Sequence, residues 1–223
     1  MSLRERVAAL RVRIQRACED AGRDPSTLDF LPVSKKQPLA LVREAASLGF
    51  TRFGENYVQE GADKASAAPE LAFTLLGPLQ RNKAKAALQH FKEIQSLDRP
   101  ELAERLRHLV EDLDLVCPVW IQVDLWDETT KWGGCTGADL PALLLALGGD
   151  VRLPLQGFMA IPPPGDEGAF AQLADLRERR QEELGQPLRL SMGMSGDLEA
   201  AIAAGSDQIR IGTAFFGERS YRT

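Results

Sequence analysis

The sequence predicts an α/β protein, a single (β/α)8 TIM barrel with an extra N-terminal helix. Three observations predict it. Eight short β-like runs appear, with helical patterns between most of them, which is the grammar of a parallel sheet. No G-x-G-x-x-G follows the first run, which argues against an open doubly wound sheet. The residues hardest to explain as core or plain surface gather at the C-terminal ends of the runs, the face on which barrels carry their sites.

The first element, residues 3–21, reads as an amphipathic helix. Val7, Leu10, Ile14 and Ala17 recur at helical spacing, and arginines fill the other faces. Packing against the domain explains it better than a membrane surface does. Strands are then expected at Leu28–Ser34, Phe50–Phe53, Ala72–Leu76, Glu93–Leu97, Val116–Val123, Leu153–Met159, Leu188–Ser191 and Gln208–Ile211. Helices are expected at Leu39–Leu48, Val58–Ser66, Asn82–His90, Pro100–Leu113, Ala138–Leu147, Gly168–Leu184 and Leu198–Ala204, with a short one starting near Ala214. No linker, repeat or low-complexity segment divides the chain. Pro162-Pro163-Pro164-Gly165 reads as a shaped loop after a strand, so residues 1–223 are expected to form one domain.

Composition sets the boundaries of function. The 223 residues carry a formal net charge of −5, which argues against nonspecific binding to nucleic acid or anionic membranes. The three cysteines (Cys18, Cys117 and Cys135) form no C-x-x-C pair, and His90 and His108 are too scattered for a familiar zinc site. No signal-peptide core opens the chain, and the apolar stretch Leu140–Leu147 is too short to span a bilayer. A reduced, cytoplasmic setting is expected, with the cysteines in the core or incidental on the surface.

Lys35 follows the first strand in LPVSKKQP. Most lysines are solvated charges, and Lys36 reads as one. A lysine at a barrel strand's end points toward the central cavity, where partial desolvation favours the neutral amine that attacks an aldehyde. RIGTAFFG, after the eighth strand, supplies a matching phosphate site. Gly212 allows close backbone approach, Thr213 offers a hydroxyl, and a short helix aims N–H groups at the anion. An ordinary strand-to-helix turn is the competing explanation. Ser191 and Ser195 in SMGMS could add donors. Arg210 lies on a short apolar strand, where a charge is costly unless paired. A structural ion pair would account for it. So would a hydrogen bond to the pyridine nitrogen of pyridoxal 5'-phosphate (PLP), for which Asp and Arg are the known partners.

Together the segments VSK with Lys35, FGENYVQE from Phe53, GPLQRNK from Gly77, GFMAIPPP from Gly157, SMGMSGDLEAAIAAGS from Ser191 and RIGTAFFGERSY from Arg210 resemble the YggS/PROSC family of PLP homeostasis proteins. The resemblance covers nearly the whole chain. It implies a barrel like the N-terminal domain of alanine racemase and PLP held as an internal aldimine on Lys35. It further implies that Asn56, Met159, Ser191, Gly212 and Thr213 line the site while Arg210 faces the ring nitrogen. The implied role is a carrier or buffer of PLP without robust turnover, expected to act as a monomer with PLP-dependent apoenzymes as candidate recipients. No residue is assigned to catalysis and none to a metal.

One segment departs from the family pattern: in DETTKWGGCTG, Lys131 fits but Trp132 and the extra Gly-Cys do not. Asp124, Asp127 and Glu128 resemble a metal cluster on paper, yet a solvated loop explains them better. Two alternatives to a carrier remain at this point. A PLP-dependent racemase-like enzyme would need a second base, and because the sequence runs only ten residues past the phosphate motif no second domain is expected to supply one. A phosphate-binding barrel enzyme without PLP would leave Lys35 unexplained.

Overall fold

The structure is a computed structural model and describes residues 1–126, 133–163, 165–166 and 168–218. Of the residues named above, Asp127, Glu128, Lys131, Trp132, Pro164 and the last three of RIGTAFFGERSY lie outside that set. Helix α1 (Leu3–Asp20) opens the chain, closed at its N-terminus by a capping box between Ser2 and Glu5. Strand and helix then alternate: β1 (Asp29–Pro32), α2 (Leu39–Ser47), β2 (Arg52–Glu55), α3 (Val58–Ala67), β3 (Ala72–Leu75) and α4 (Ala84–His90). The second half continues with β4 (Glu93–Leu97), α5 (Pro100–Asp112), β5 (Val119–Gln122), α6 (Leu140–Leu147) and β6 (Leu155–Met159). It ends with α7 (Gly168–Leu184), β7 (Arg189–Ser191), α8 (Leu198–Ala203), β8 (Gln208–Ile211) and the single turn α9 (Thr213–Phe216).

The strands form one parallel eight-stranded sheet in the order β1-β8-β7-β6-β5-β4-β3-β2. Its two ends meet through the bridge Val33↔Gly54, where the Ser34 N–H donates to the Gly54 carbonyl at 2.8 Å. The expected barrel is therefore present, nearly closed at that seam.

The period of two along each strand separates an inside from an outside. Ile209 and Ile211 of β8 join the large apolar cluster beneath the helices. The alternate residues, Gln208 and Arg210, face the barrel axis, where Gln95 of β4 donates to Gln208 at 2.7 Å across the interior. Leu31, Val33 and Leu76 form a separate small cluster within. Below them a polar column runs from Arg210 through Ser191, Gln95 and Gln208 to Asp29, which pairs with Arg52 at the opposite end.

Most expected elements are found within a residue or two. The second strand is a correction: it runs Arg52–Glu55 rather than Phe50–Phe53. Phe50 packs edge-on against Phe30 (5.4 Å) and Phe215 (4.9 Å) instead of joining the ladder. Gly54 thus lies inside the strand with its inward side against Leu76, which would have to shift to admit a larger residue. A Cβ there would sit 2.5 Å from Leu76 Cδ1.

Candidate functional site

At the C-terminal mouth of the barrel lies a cavity of about 520 Å³. Strand parity explains which side chains reach it. Leu31 and Val33 face inward, so Lys35, two residues further, does too, while Ser34 and Lys36 do not. The same alternation takes Asn56 inward from Gly54 and leaves Glu55 outside. The cavity is lined by Lys35, Asn56, Met159, Arg210, Gly212 and Thr213, six of the seven residues singled out from the sequence.

Ser191 is the seventh, and it stands behind the lining. It is fully buried, shares its one hydroxyl proton between the Oε1 atoms of Gln95 and Gln208 at 2.8 and 2.9 Å, and accepts from Arg210 Nη1 at 2.8 Å. Its hydroxyl therefore orients the arginine. Ser195, the other flagged serine, does line the cavity.

Arg210 is 5% exposed and pairs with no carboxylate among the described residues, so the expected alternative of an ion pair does not hold there. Its Nη2 donates to the Ala160 carbonyl at 2.8 Å. Burial pushes its pKa down to about 10, which leaves it charged at neutral pH. A guanidinium carries five N–H donors, and the acceptors named here take two. A buried cation with donors to spare, beside the cavity, suits an uncharged acceptor such as a ring nitrogen.

Thr213 and Ala214 open α9, so their N–H groups have no acceptor inside the helix. Phe215 and Phe216 already donate to the Gly212 carbonyl at 3.0 and 2.9 Å. Lys35 and Thr213 thus sit on neighbouring strands' loops, since β1 pairs with β8. An aldehyde and a phosphate on one small molecule could reach both.

The sequence reading passed over Val33, Gln37 and Leu76, which also line the cavity. Val33 is two residues before Lys35, so parity alone would have found it, whereas Gln37 follows the left-handed turn at Lys36, where strand alternation no longer applies. It also passed over Lys64, whose ammonium is buried beside Ser34 and Glu55 just outside the β1–β2 seam. Among the described residues no group of three His, Cys, Asp or Glu could hold a metal ion, and no helix is long and apolar enough to cross a membrane.

Comparison with known proteins adds to the geometry. The model of the alanine racemase N-terminal domain matches residues 7–220. The pyridoxal phosphate homeostasis protein of Pseudomonas aeruginosa is 43% identical over 228 residues, covering 99% of this chain and 97% of its own. That of Escherichia coli K12 is 40% identical, with 96% of each chain covered. Among solved structures, PipY of Synechococcus elongatus with PLP bound superimposes with a TM-score of 0.85 at 36% identity, over 97% of this chain and all of PipY. Alanine racemase of Clostridium difficile shares the fold alone: TM-score 0.74, 13% identity, 99% of this chain but 57% of the racemase. With relatives this similar along almost its entire length, the chain belongs to the pyridoxal phosphate homeostasis protein family.

Proposed function

We propose that this chain binds PLP through Lys35 and serves in PLP homeostasis as a carrier or buffer, with residues 1–223 acting as one binding domain. The observation that carries the reading is the convergence of Lys35, Arg210 and Thr213 on one cavity. When bound, PLP supplies an aldehyde that condenses with a neutral amine, releasing one water, and a pyridine ring able to draw electrons. The protein's own groups meet each part. Lys35 offers the amine from a half-buried position at the mouth. Thr213, with the first-turn amides of α9, receives the phosphate. Arg210 donates to the ring nitrogen, held in place by Ser191 and the Ala160 carbonyl. Asn56 and Met159 complete the walls.

Arg210 also argues for binding without enzyme-like turnover. A guanidinium that stays charged at neutral pH cannot give the ring nitrogen a proton, so carbanion stabilisation is weak. The relatives' naming as homeostasis proteins supports the same view. Because one chain's residues line the cavity, we propose a monomer that loads and releases PLP, with apoenzymes as recipients.

Absorption spectroscopy with borohydride reduction and peptide mass mapping tests the attachment. The pyridoxyl group is expected on Lys35, and Lys35→Ala should lose the absorption band while keeping its fold. A label mainly on Lys36, Lys64 or Lys83 would reject the assignment. Turnover is tested by Cα proton exchange of amino acids in deuterated water. Exchange barely above free PLP is expected. Rates on the order of tens per second, lost in Lys35→Ala, would promote the racemase-like alternative.

A further inference from the structure

The strongest unexplained feature is a buried charge cluster outside the barrel wall, between α3 and the seam of β1 and β2. Lys64 is 7% exposed, and its ammonium donates three hydrogen bonds: to the Ser34 carbonyl at 2.7 Å, Glu55 Oε1 at 2.6 Å and Glu60 Oε1 at 2.8 Å. Three donors meet three acceptors, so the ammonium is fully satisfied. Glu55 is itself fully buried, and Ser34 Oγ donates to its Oε1 at 2.7 Å. Burial pushes the Glu55 carboxyl up, against the pull of Lys64. Buried lysines and glutamates are rare, and replacing such a group by apolar residues of equal volume is often neutral or stabilising. Fold stability alone is therefore a poor reason for its presence.

Its contacts fall on both neighbours of Lys35. Upstream, Ser34 is held at its carbonyl by Lys64, at its hydroxyl by Glu55 and at its N–H by Gly54. Downstream, the Lys36 N–H donates to Glu60 Oε1 at 2.6 Å, the oxygen that also receives Lys64. Lys36 has φ +59°, a left-handed conformation that a residue with a Cβ adopts at a cost and keeps only where the surroundings hold it. The turn that aims Lys35 into the cavity is thus clamped on each side by one ion cluster.

We infer that Lys64, with Glu55 and Glu60, is a positioning device that presets the Lys35 amine for attack on the cofactor's aldehyde. This rests on the proposed attachment of PLP at Lys35. The clamp touches neither the phosphate loop nor Arg210, so it should govern the covalent step and leave recognition of ring and phosphate alone.

Pyridoxine 5'-phosphate separates the two, since it has the same ring and phosphate with an alcohol in place of the aldehyde. Glu60→Ala, Glu60→Gln and Lys64→Met are compared with the parent protein. Measured are the rate of appearance of the PLP absorption band and, by calorimetry, the affinity for pyridoxine 5'-phosphate. In Glu60→Ala attachment should slow at least tenfold, with analogue affinity unchanged within threefold. Glu60→Gln, which keeps an acceptor oxygen for the Lys36 N–H, should recover most of the rate. Lys64→Met strands two carboxylates; if it fails to fold, Glu60→Ala carries the test, because Glu60 is partly exposed. Equal losses for both ligands, or attachment in Glu60→Ala as fast as in the parent, would overturn the inference alone. A borohydride label on Lys64 itself would also overturn it. A parent protein that never attaches PLP would overturn the functional reading and the inference together.

Discussion

At Arg210 and Thr213 the chemistry of the mouth reduces to single hydrogen bonds. Thr213→Val keeps the side-chain shape and deletes a hydroxyl donor. A hydrogen bond to a charged group is worth about 1.5–3 kcal/mol, so PLP affinity should fall roughly ten- to a hundredfold. Binding of unphosphorylated pyridoxal should be untouched. An equal loss for both ligands in a fluorescence titration would put the phosphate elsewhere. Ser191 separates a wall residue from a supporting one. Its hydroxyl sits among Arg210, Gln95 and Gln208 with no exposure. Ser191→Ala should then cost about 1–3 kcal/mol of stability, because the buried Arg210 Nη1 loses an acceptor and the glutamine oxygens lose a donor. Affinity for inorganic phosphate should not change. A urea midpoint equal to the parent's, with phosphate binding lost, would make Ser191 a direct ligand contact. Both residues were legible from position at strand ends. The role of Ser191 was not, since which of its neighbours takes the hydroxyl depends on residues 17 and 96 positions away.

The extra helix α1 illustrates what an element's sequence can and cannot disclose. Its apolar stripe announced a packed face, and Leu3, Val7, Leu10, Ile14 and Ala17 are indeed buried. Its arginines read as a solvated face, yet three residues of that kind grip backbone at the far end of the chain. Arg6 donates from Nε and Nη2 to the carbonyls of Phe215 and Phe216, both at 2.9 Å. Arg13 donates to the Ser195 carbonyl at 2.8 Å and pairs with Glu199. Arg23, just past the helix, donates to the carbonyls of Ile202 and Ser206. Cations suit the carbonyl ends of helices, which α9 presents to Arg6 and α8 to Arg23, whereas Arg13 meets the opposite end of α8 and is held there by Glu199. Partners some 180–210 residues away leave no trace in local periodicity, and Lys64 was passed over for a related reason. It occurs in helical text where lysines usually meet water, and only the β1–β2 seam brings it under Ser34. Arg6 supports the turn that begins with Thr213, so Arg6→Met should loosen α9. A threefold to tenfold loss of PLP affinity is expected, with faster amide exchange at Phe216 and Gly217 by mass spectrometry, and no change in the Lys35 label site. Unchanged exchange at α9 would show that Phe215, packed on Phe30 and Phe50, holds the turn without it.

Across the whole molecule, the cavity draws on the two strands of the barrel's closing seam, on the adjacent β8, and on β6 further round the sheet. Lys35 follows β1, Asn56 follows β2, Met159 ends β6 and Thr213 follows β8. A ligand reaching from Lys35 to Thr213 spans the β1–β8 pair and lies beside the seam at Val33 and Gly54. Such a ligand should stabilise the closed barrel as a unit, and Cys117 offers a remote readout. It precedes β5, away from the cavity, and is 2% exposed. Burial pushes its thiol from an ordinary 9.0 up to about 12, so the reactive thiolate is scarce in the folded state at pH 8. Alkylation of Cys117 should therefore proceed through unfolding that exposes it. If that opening is global, a ligand at about 100 times its Kd adds about 2.7 kcal/mol and slows alkylation roughly a hundredfold. Lys35→Ala, binding PLP more weakly, should show a much smaller effect at the same PLP concentration. Mass-resolved alkylation with and without PLP measures both. A Cys117 rate indifferent to PLP would mean that β5 opens locally, and that occupancy of the mouth does not hold the two halves of the barrel together.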